Sequence, residues 1–210
     1  MKARASFTAA QVDQLLKPIN PRRVLTANGH AHLAQQDVTA HLIRVFGFGG
    51  YDVEVKELEC IFEHNRILDD GKPSKRWDIG YRAVVRLTVR NPDGELVTVV
   101  EEGSTATAEN QKLGDGHDLA LKSAISLAKK RCAKELGDQF GLSLYNKGQL
   151  TAIVGGTLVK PPAEDEPERA DLQEHATEQL ADGEDVPVRD INDDAPAGGL
   201  AGALHDRGKG

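Results

Sequence analysis

The chain has 210 residues, of which 39% are hydrophobic and 28% are charged, and its formal net charge is −7. This length predicts one domain of about 150 residues with an appendage, or two small domains, and the apolar content is enough for a core. No apolar run approaches the roughly 20 residues of a membrane span, and no signal-peptide pattern follows the basic N-terminus, so we expect a cytoplasmic protein without a membrane segment.

Two helices are predicted before the first strand. Thr8 followed by Gln11 is a capping-box pattern that begins a short helix, and Pro18 ends this helix. A second helix is predicted for residues 36–46, because their apolar residues recur at helical spacing. Gly47 is a natural C-terminal stop for it.

A strand with one change of phase is predicted for residues 51–62. Apolar residues alternate with charged ones up to Val55, and the alternation resumes one residue out of phase at Leu58. An extra residue near 56–57, a β-bulge, explains this shift. The polar segment 64–75 contains Asp-Asp-Gly and a proline, and it is predicted to form a loop.

The clearest strand pattern runs over residues 76–90, in which every second residue is apolar. The opposite face carries four arginines, Arg76, Arg82, Arg86 and Arg90. The Asn-Pro-Asp-Gly sequence at 91–94 predicts a tight turn into a partner strand over 95–100. The glycine-containing polar segment 103–116 is predicted to be a loop.

A long helix is predicted for residues 117–136, and Gly137 ends it. Its apolar residues recur at spacings of three and four, so they form one stripe. Together the elements predict an α+β fold in the order α-α-β-β-β-α. In this fold an antiparallel three-stranded β-meander packs with the long helix.

The charge divides the chain into two parts. Residues 1–154 contain 21 Lys and Arg and 19 Asp and Glu, whereas residues 155–210 contain 5 and 14. The second part has no aromatic residue and cannot bury enough apolar area to offset its ordering entropy. We therefore predict a folded domain over 1–154 and a disordered acidic tail over 155–210. The tail is interpreted as a solubilising segment, as a docking segment for a basic partner, or as a competitor of nucleic acid.

Two groups of basic residues favour nucleic-acid binding. Lys130, Arg131 and Lys134 lie within an arc of about 100° on the predicted long helix, mostly away from its apolar stripe. The second group lies on the strand face and consists of Arg76, Arg82, Arg86 and Arg90. Guanidinium groups also stack on bases, which suits single strands. The alternative interpretation of each group is a solvated face, which near a helix C-terminus also complements the helix dipole.

Cysteine and histidine residues predict neither a disulfide nor a metal site. Cys60 and Cys132 lie far apart in sequence, and both are expected to be buried small apolar residues. His30, His32 and His41 lack a carboxylate or thiolate at ligand spacing. No nucleophile, histidine and carboxylate pattern is recognisable, so we predict no catalytic residue, metal or cofactor and do not favour an enzyme.

Two other functions are compatible with the sequence. A metal-dependent DNA-processing nuclease is one of them, with the candidate residues Glu101, Glu102, Asp115, His117 and Asp118, although no motif fixes their geometry. A structural scaffold protein would use the arginine face to bind an acidic partner or the acidic tail. A magnesium titration with labelled DNA separates cleavage from annealing, because only annealing produces duplex without metal.

Three segments together resemble the Rad52 family of single-strand annealing proteins, in the DNA-binding domain of that family. They are FGFGGY at 46–51, WDIGYRAVVRL at 77–87, and LGDQFGLSLYNK at 136–147, which follows Lys130 and Arg131. The resemblance covers about residues 7–150. It implies a β-β-β-α core, assembly into rings or arcs, and ATP-independent pairing of complementary single strands in homologous recombination and double-strand break repair.

The resemblance also implies an inner groove that runs around the oligomer and holds the phosphates of single-stranded DNA. Lys130, Arg131 and Lys134 match the basic residues that the family places in this groove on the long helix. An N-terminal arginine of the groove matches either Arg22 or Arg23.

Further positions match the family less closely. His32 stands where the family has a tyrosine near the groove, and a second, outer DNA site corresponds to Lys112 and Arg90. The family tail that binds the strand-exchange recombinase has no counterpart, so mediator activity is not implied. Compact members occur in bacteriophages and bacteria, which implies a nucleoid-associated protein or one in the cytoplasm of a phage host. A single-strand-binding protein or another recombination protein is an implied partner.

Overall fold

The computed structural model describes residues 5–27 and 29–157. The predicted tail over 155–210 lies outside the described residues, except for residues 155–157, so its disorder stays a prediction. Within the described ranges, no helix is both long enough and apolar enough to cross a membrane.

The helices and strands follow the predicted α+β order, with one added hairpin. In chain order they are α1 (Ala9–Leu15), β1 (Val24–Ala27), β2 (His30–Leu33), α2 (Gln35–Phe46), β3 (Tyr51–Ile67), β4 (Pro73–Arg90), β5 (Leu96–Gln111) and α3 (Leu113–Lys134). Short 3₁₀ helices connect them at Pro21–Arg23, Asp138–Phe140 and Leu142–Tyr145. The sequence does not predict the β1–β2 hairpin, because strands of four residues are too short to show a two-residue period.

The beginning of α1 and the end of α2 form as predicted. The Thr8 hydroxyl accepts a hydrogen bond from the Gln11 N–H at 3.2 Å, and the Gln11 side-chain oxygen accepts one from the Thr8 N–H at 3.0 Å. Gly47 ends α2 with a φ of 80°, a left-handed conformation that glycine adopts without strain. Its N–H donates to the Ile43 carbonyl as the chain leaves the helix.

The main sheet has the order β3-β4-β5, with antiparallel neighbours, as predicted. The predicted bulge is confirmed, since the register of β3 against β4 shifts between Val55 and Glu57. The strands are longer than the sequence predicts. β3 and β4 leave only residues 68–72 between them, so the loop predicted over 64–75 is wrong at both ends.

β5 and α3 occupy most of the segment that was expected to be a loop, residues 103–116. β5 continues to Gln111, and three small residues of its second half face the helix and are buried: Ser104, Ala106 and Ala108. Small residues weaken the strand pattern in a sequence, because strand preference reflects side-chain packing on the pleated surface. Here they leave room for α3.

α3 begins at Leu113, four residues before the predicted start. Gly116 lies in its first turn, and a β-carbon there would be 2.8 Å from the Ile79 Cδ1 methyl group. The close approach of the helix to β4 therefore requires glycine, although glycine in a sequence usually indicates a loop. The helix ends at Lys134, two residues before the predicted end.

The main core lies between β4 and α3. The helix-facing residues of β4 are buried as the alternation predicts, and they include Ile79, Ala83, Val85, Leu87 and Val89. α3 contributes a layer of small buried residues, Ala120, Ala124, Ala128 and Cys132. Because these side chains are small, the helix axis lies close to the sheet. α2 adds Val38, Leu42 and Phe46 to the same core.

β3 extends beyond the area that α3 covers. α3 packs on β4 and β5, and a helix about 10 Å wide covers two strands that are spaced about 4.8 Å apart. Residues of β3 on the helix side therefore stay exposed, with Val55 and Leu58 each 43% exposed. Cys60 is exposed as well, so its predicted burial is wrong, whereas the predicted burial of Cys132 is confirmed.

Candidate nucleic-acid interface

The C-terminal half of α3 carries four partly exposed basic residues, Lys129, Lys130, Arg131 and Lys134. Lys129 faces α2, where its ammonium donates a hydrogen bond to the Thr39 hydroxyl at 2.8 Å. Burial lowers the pKa of Lys129. Lys129 therefore ties α3 to α2 and differs in role from the three predicted groove residues.

The three predicted groove residues lie along one side of α3. One Arg131 N–H donates to the Gly103 carbonyl oxygen at 3.0 Å, which places the guanidinium against β5. The Lys134 ammonium lies 3.4 Å from a Glu135 carboxylate oxygen and 4.8 Å from the centroid of the Tyr145 ring. Lys130 is four residues before Lys134, so their side chains leave the same face of the helix. Of the three residues, Arg131 lies nearest the sheet.

Arg22 and Arg23, the two alternatives for the N-terminal groove arginine, have different surroundings. Arg23 forms a two-point ion pair with Asp37, with a distance of 2.9 Å and 12% of the Arg23 side chain exposed. It also donates to the Gln139 side-chain oxygen at 3.2 Å. Arg22 is exposed on the same 3₁₀ helix. Arg22 is therefore the one of the two that is accessible to a ligand.

The segment after α3 lies against the two N-terminal segments that carry Arg22 and His32. The Gln139 amide donates to two backbone carbonyls just before the 3₁₀ helix that carries Arg22, at 2.8 and 2.6 Å. His32 lies partly exposed on β2. Its neighbour Ala31 contacts Gly148, where an added β-carbon would be 3.3 Å from the Ala31 methyl group. The segments with Arg22 and His32 thus lie against the chain that follows Lys134.

The arginine face of β4 lies on the side of the sheet opposite α3, and carboxylates on the neighbouring strands offset its charge. The ion pairs are Arg82–Glu57 at 3.1 Å, Arg86–Glu101 at 2.8 Å and Arg90–Asp52. Each carboxylate comes from β3 or β5. The pattern of β4 alone shows the cations without their partners, because the register between strands is not visible in the sequence.

Arg90 and Lys112, the candidates for an outer site, lie at opposite ends of the sheet. Arg90 pairs with Leu96 at one end of β4, whereas Gln111, which precedes Lys112, pairs with Trp77 at the other end. The separation along β4 is roughly 40 Å at the usual rise per residue. A single protomer therefore does not bring these two residues together.

The acidic residues considered for a nuclease are also separated. Glu101 and Glu102 are consecutive in β5, so they face opposite sides of the sheet. Glu101 pairs with Arg86, and Asp115 lies in the first turn of α3. Among residues 5–27 and 29–157, no group of three or more His, Cys, Asp or Glu side chains could hold a metal ion.

His41 is a core residue, only 5% exposed. Its ring packs against the edge of Phe140, with the ring centroids 5.0 Å apart. Burial lowers the pKa of His41 from 6.5 to about 4, and the nearby Arg23 acts in the same direction. His41 is therefore neutral at pH 7 and joins α2 to the segment after α3, away from His30 and His32 on β2.

A hydrogen-bonded chain that the sequence does not predict joins the sheet to the N-terminal part of α3. The Tyr81 hydroxyl oxygen lies 3.0 Å from His117 Nδ1, and His117 Nε2 lies 3.0 Å from a Glu63 carboxylate oxygen. Burial raises the pKa of Tyr81. The three residues come from β4, α3 and β3, so only the folded arrangement reveals their contact.

Comparisons with known proteins include a match to the part of the chain that carries Lys130, Arg131 and Lys134. A family model described as Rad52/22 family double-strand break repair protein matches residues 7–159, which include every helix and strand given above. The DNA repair and recombination protein RAD52 of Eremothecium gossypii is 35% identical over 124 residues, which are 59% of this chain and 26% of that protein. RAD52 of Kluyveromyces lactis is 32% identical over 111 residues, 52% of this chain and 23% of that protein. The chain thus spans about a quarter of the length of these relatives.

Proposed function

The chain belongs to the Rad52/22 family, and on this premise we propose that it binds and anneals single-stranded DNA, without ATP, in homologous recombination and double-strand break repair. The observation that carries the proposal is the position of Lys130, Arg131 and Lys134 along one side of α3, inside the matched region. Neither a metal ion nor a catalytic residue takes part in the proposed reaction.

The proposed contact is with DNA phosphates. Lys130 and Lys134 carry ammonium groups on adjacent turns of the helix, and Arg131 has guanidinium N–H groups beyond the one that binds Gly103. Such cations bind phosphates of any sequence and release counterions from the DNA. The binding is therefore independent of sequence, and it weakens as the salt concentration rises.

Arg22 and His32 extend the proposed surface past the end of α3. Arg22 is exposed and supplies a further phosphate contact. His32 supplies a flat, partly exposed ring on β2. Arg23 has a structural role in this proposal, because its ion pair with Asp37 is largely buried.

The arginines of β4 contribute less in this proposal. Each of Arg82, Arg86 and Arg90 faces a carboxylate, so DNA has to compete with a partner that is already in place. Lys112 and Arg90 lie too far apart in one protomer to hold the same phosphate. An outer site that uses both residues therefore draws them from different protomers.

The uncovered face of β3 supports assembly of a homo-oligomer, as a ring or an arc. β3 is an edge strand, and its helix-side residues Val53, Val55 and Leu58 are each between 36% and 43% exposed. An apolar edge of this length favours aggregation unless another surface covers it. In the proposal a second copy of the chain covers it, and the helix surfaces of successive protomers form one groove.

Annealing follows from holding the backbone and leaving the bases accessible. A strand bound through its phosphates keeps its Watson–Crick edges free to test pairing. A groove that holds the strand in an open form also reduces the entropy that is lost when a complementary strand pairs with it. The protein then acts by positioning, and the pairing energy comes from the DNA.

The proposal is tested by fluorescence anisotropy with a labelled single-stranded oligonucleotide. Lys130→Ala, Arg131→Ala and Lys134→Ala should each weaken binding about 3- to 10-fold, because each removes one charge-assisted contact. The matched control is Lys122→Ala, which removes a lysine from the same helix that is paired with Asp118. Its affinity should equal that of the unaltered protein.

Annealing itself is measured as the gain of duplex from complementary labelled strands without ATP or metal. The unaltered chain should accelerate duplex formation, and the three α3 variants should do so less. Unchanged affinity in all three variants would contradict the proposal. Loss of full-length strand on addition of magnesium would indicate a nuclease instead.

A further inference from the structure

Tyr145 is a large exposed aromatic residue at the end of the proposed DNA surface. It closes the 3₁₀ helix Leu142–Tyr145 and is 60% exposed. Tyrosine rings usually bury much of their area, so an exposed ring beside cations is a feature that a ligand can use. Neither the sequence pattern nor the proposed phosphate contacts give it a role.

The backbone around Tyr145 is fixed. Ser143 is fully buried and Leu144 is 8% exposed, so the preceding residues are part of the core. The Asn146 N–H donates to the Ser143 carbonyl at 3.1 Å, and the Gly148 N–H donates to the Leu144 carbonyl at 2.9 Å. The ring is thus presented to solvent from a held position, which lowers the ordering cost of binding.

A residue with a left-handed backbone conformation follows Tyr145 two positions later. Lys147 has a φ of 51°, the left-handed region that residues other than glycine rarely adopt. Backbone strain of this kind is found where a turn must place particular side chains. In this turn it places a second lysine two residues after Tyr145 along the chain.

Lys134 lies over the Tyr145 ring. Its ammonium is 4.8 Å from the ring centroid, within the range of a cation–π contact. An ammonium and an aromatic face that are this close match the two ends of one nucleotide, the phosphate and the base. Proteins that bind single strands without sequence preference combine these two elements, a cation that follows the backbone and an aromatic ring on which a base stacks.

We propose that Tyr145 stacks on an unpaired base of the strand whose phosphate Lys134 holds. This inference rests on the proposed function and adds to it the reason why the site takes single strands. Stacking uses the face of the base and leaves its Watson–Crick edge free for annealing. A base inside a duplex has both faces covered by its neighbours, so duplex DNA cannot make this contact.

The test compares the full chain with Tyr145→Ala and Tyr145→Phe on two probes of equal length, a thymidine oligonucleotide and an abasic one. Tyr145→Ala should bind the thymidine probe about 5- to 150-fold more weakly, the range for loss of one stacked base. It should bind the abasic probe like the unaltered chain, with the same salt dependence. Tyr145→Phe should keep the affinity for both probes, because it keeps the ring.

Three results would overturn the inference. One is unchanged thymidine binding by Tyr145→Ala, and another is an equal loss on both probes, which would mean that the variant disturbs the phosphate contacts or the fold. The third is an equal loss in Phe48→Ala, which removes a 90% exposed ring from the turn after α2. If Lys130→Ala weakens binding while Tyr145→Ala does not, the proposed function stands and the stacking contact alone is wrong. If no α3 variant changes binding, the proposed function and the stacking contact are both wrong.

Discussion

The C-terminal half of α3 and the arginine face of β4 are both rich in basic residues, yet they differ in the groups that surround them. On α3, Lys129 and Arg131 donate to neutral oxygens, and Lys134 lies 3.4 Å from the carboxylate of the next residue, Glu135. On β4, Arg82, Arg86 and Arg90 each face a carboxylate of a neighbouring strand. The charge of a surface therefore depends on every element that contributes to it, and a strand contributes only part of its face.

The strongest test of this contrast replaces each group of three cations as a block. The triple alanine variant of Lys130, Arg131 and Lys134 should bind single-stranded DNA roughly 100-fold or more weakly. The slope of log affinity against log salt concentration should become shallower by about 2. Anisotropy titrations at several salt concentrations give both values. The matched block replaces Arg82, Arg86 and Arg90 and should change affinity only a few-fold, because these arginines are already paired with carboxylates and contribute little to DNA binding. Equal losses in the two blocks would remove the contrast.

A second test lowers the pH and acts through His41, which lies in the core between α2 and the segment after α3. The folded state holds the pKa of His41 at about 4, below its usual 6.5. As the pH falls from 6.5 to 4, His41 takes up a proton in the unfolded chain but not in the folded chain. The contribution of neutral His41 to the free energy of unfolding is therefore complete above pH 6.5 and is lost toward pH 4. The free energy of unfolding lost in this way is about 3 kcal/mol. Denaturant unfolding of the unaltered chain and of His41→Leu, at neutral and at acid pH, measures this change in the free energy of unfolding.

His41→Leu should be less sensitive to acid than the unaltered chain by that amount. Carboxylates that titrate in the same window are common to both proteins, so their effects cancel in the difference. Parallel loss of stability in the two proteins would show that His41 does not cause the acid sensitivity. The exposed ion pairs on β4 contribute little to this difference, because such pairs are worth about 0–1 kcal/mol.

The smallest expected effect comes from removing the carboxylates that offset the β4 arginines. Glu57→Gln combined with Glu101→Gln frees Arg82 and Arg86 from their closest partners. Affinity for single-stranded DNA should rise about 2- to 5-fold at low salt and return to that of the unaltered chain at high salt. Asp69→Asn combined with Asp93→Asn, both in exposed turns, is the control for the same change in net charge. An equal rise in the control would mean that net charge alone is responsible.

Local patterns predicted those elements whose signals lie within a few residues. The capping box at Thr8, the bulge after Val55 and the buried face of β4 depend on neighbouring residues, and all three form as expected. The second half of β5 and the first turn of α3 did not follow from the sequence. There, small residues and Gly116 serve a close approach between elements that are distant in sequence.

For the candidate site too, the sequence predicts what depends on residues close together in the chain, and it does not predict what depends on sheet order and register. The spacing of Lys130, Arg131 and Lys134 on one helix places them on one side without knowledge of the fold. The exposure of Cys60, the ion pairs of the β4 arginines and the separation of Arg90 from Lys112 depend on sheet order and register. Tyr145 carries no periodic signal, because it lies in a single 3₁₀ turn.

The small-residue layer under α3 has a consequence for the opposite side of that helix. Ala124, Ala128 and Cys132 set the height of the helix above the sheet, and every side chain on its outer surface inherits that height. One methylene group added to this layer would move α3 away from the sheet by less than the width of that group. Lys130, Arg131 and Lys134 would move with the helix. In the proposed function, the position of Lys130, Arg131 and Lys134 relative to the sheet thus depends on buried residues that do not contact the DNA.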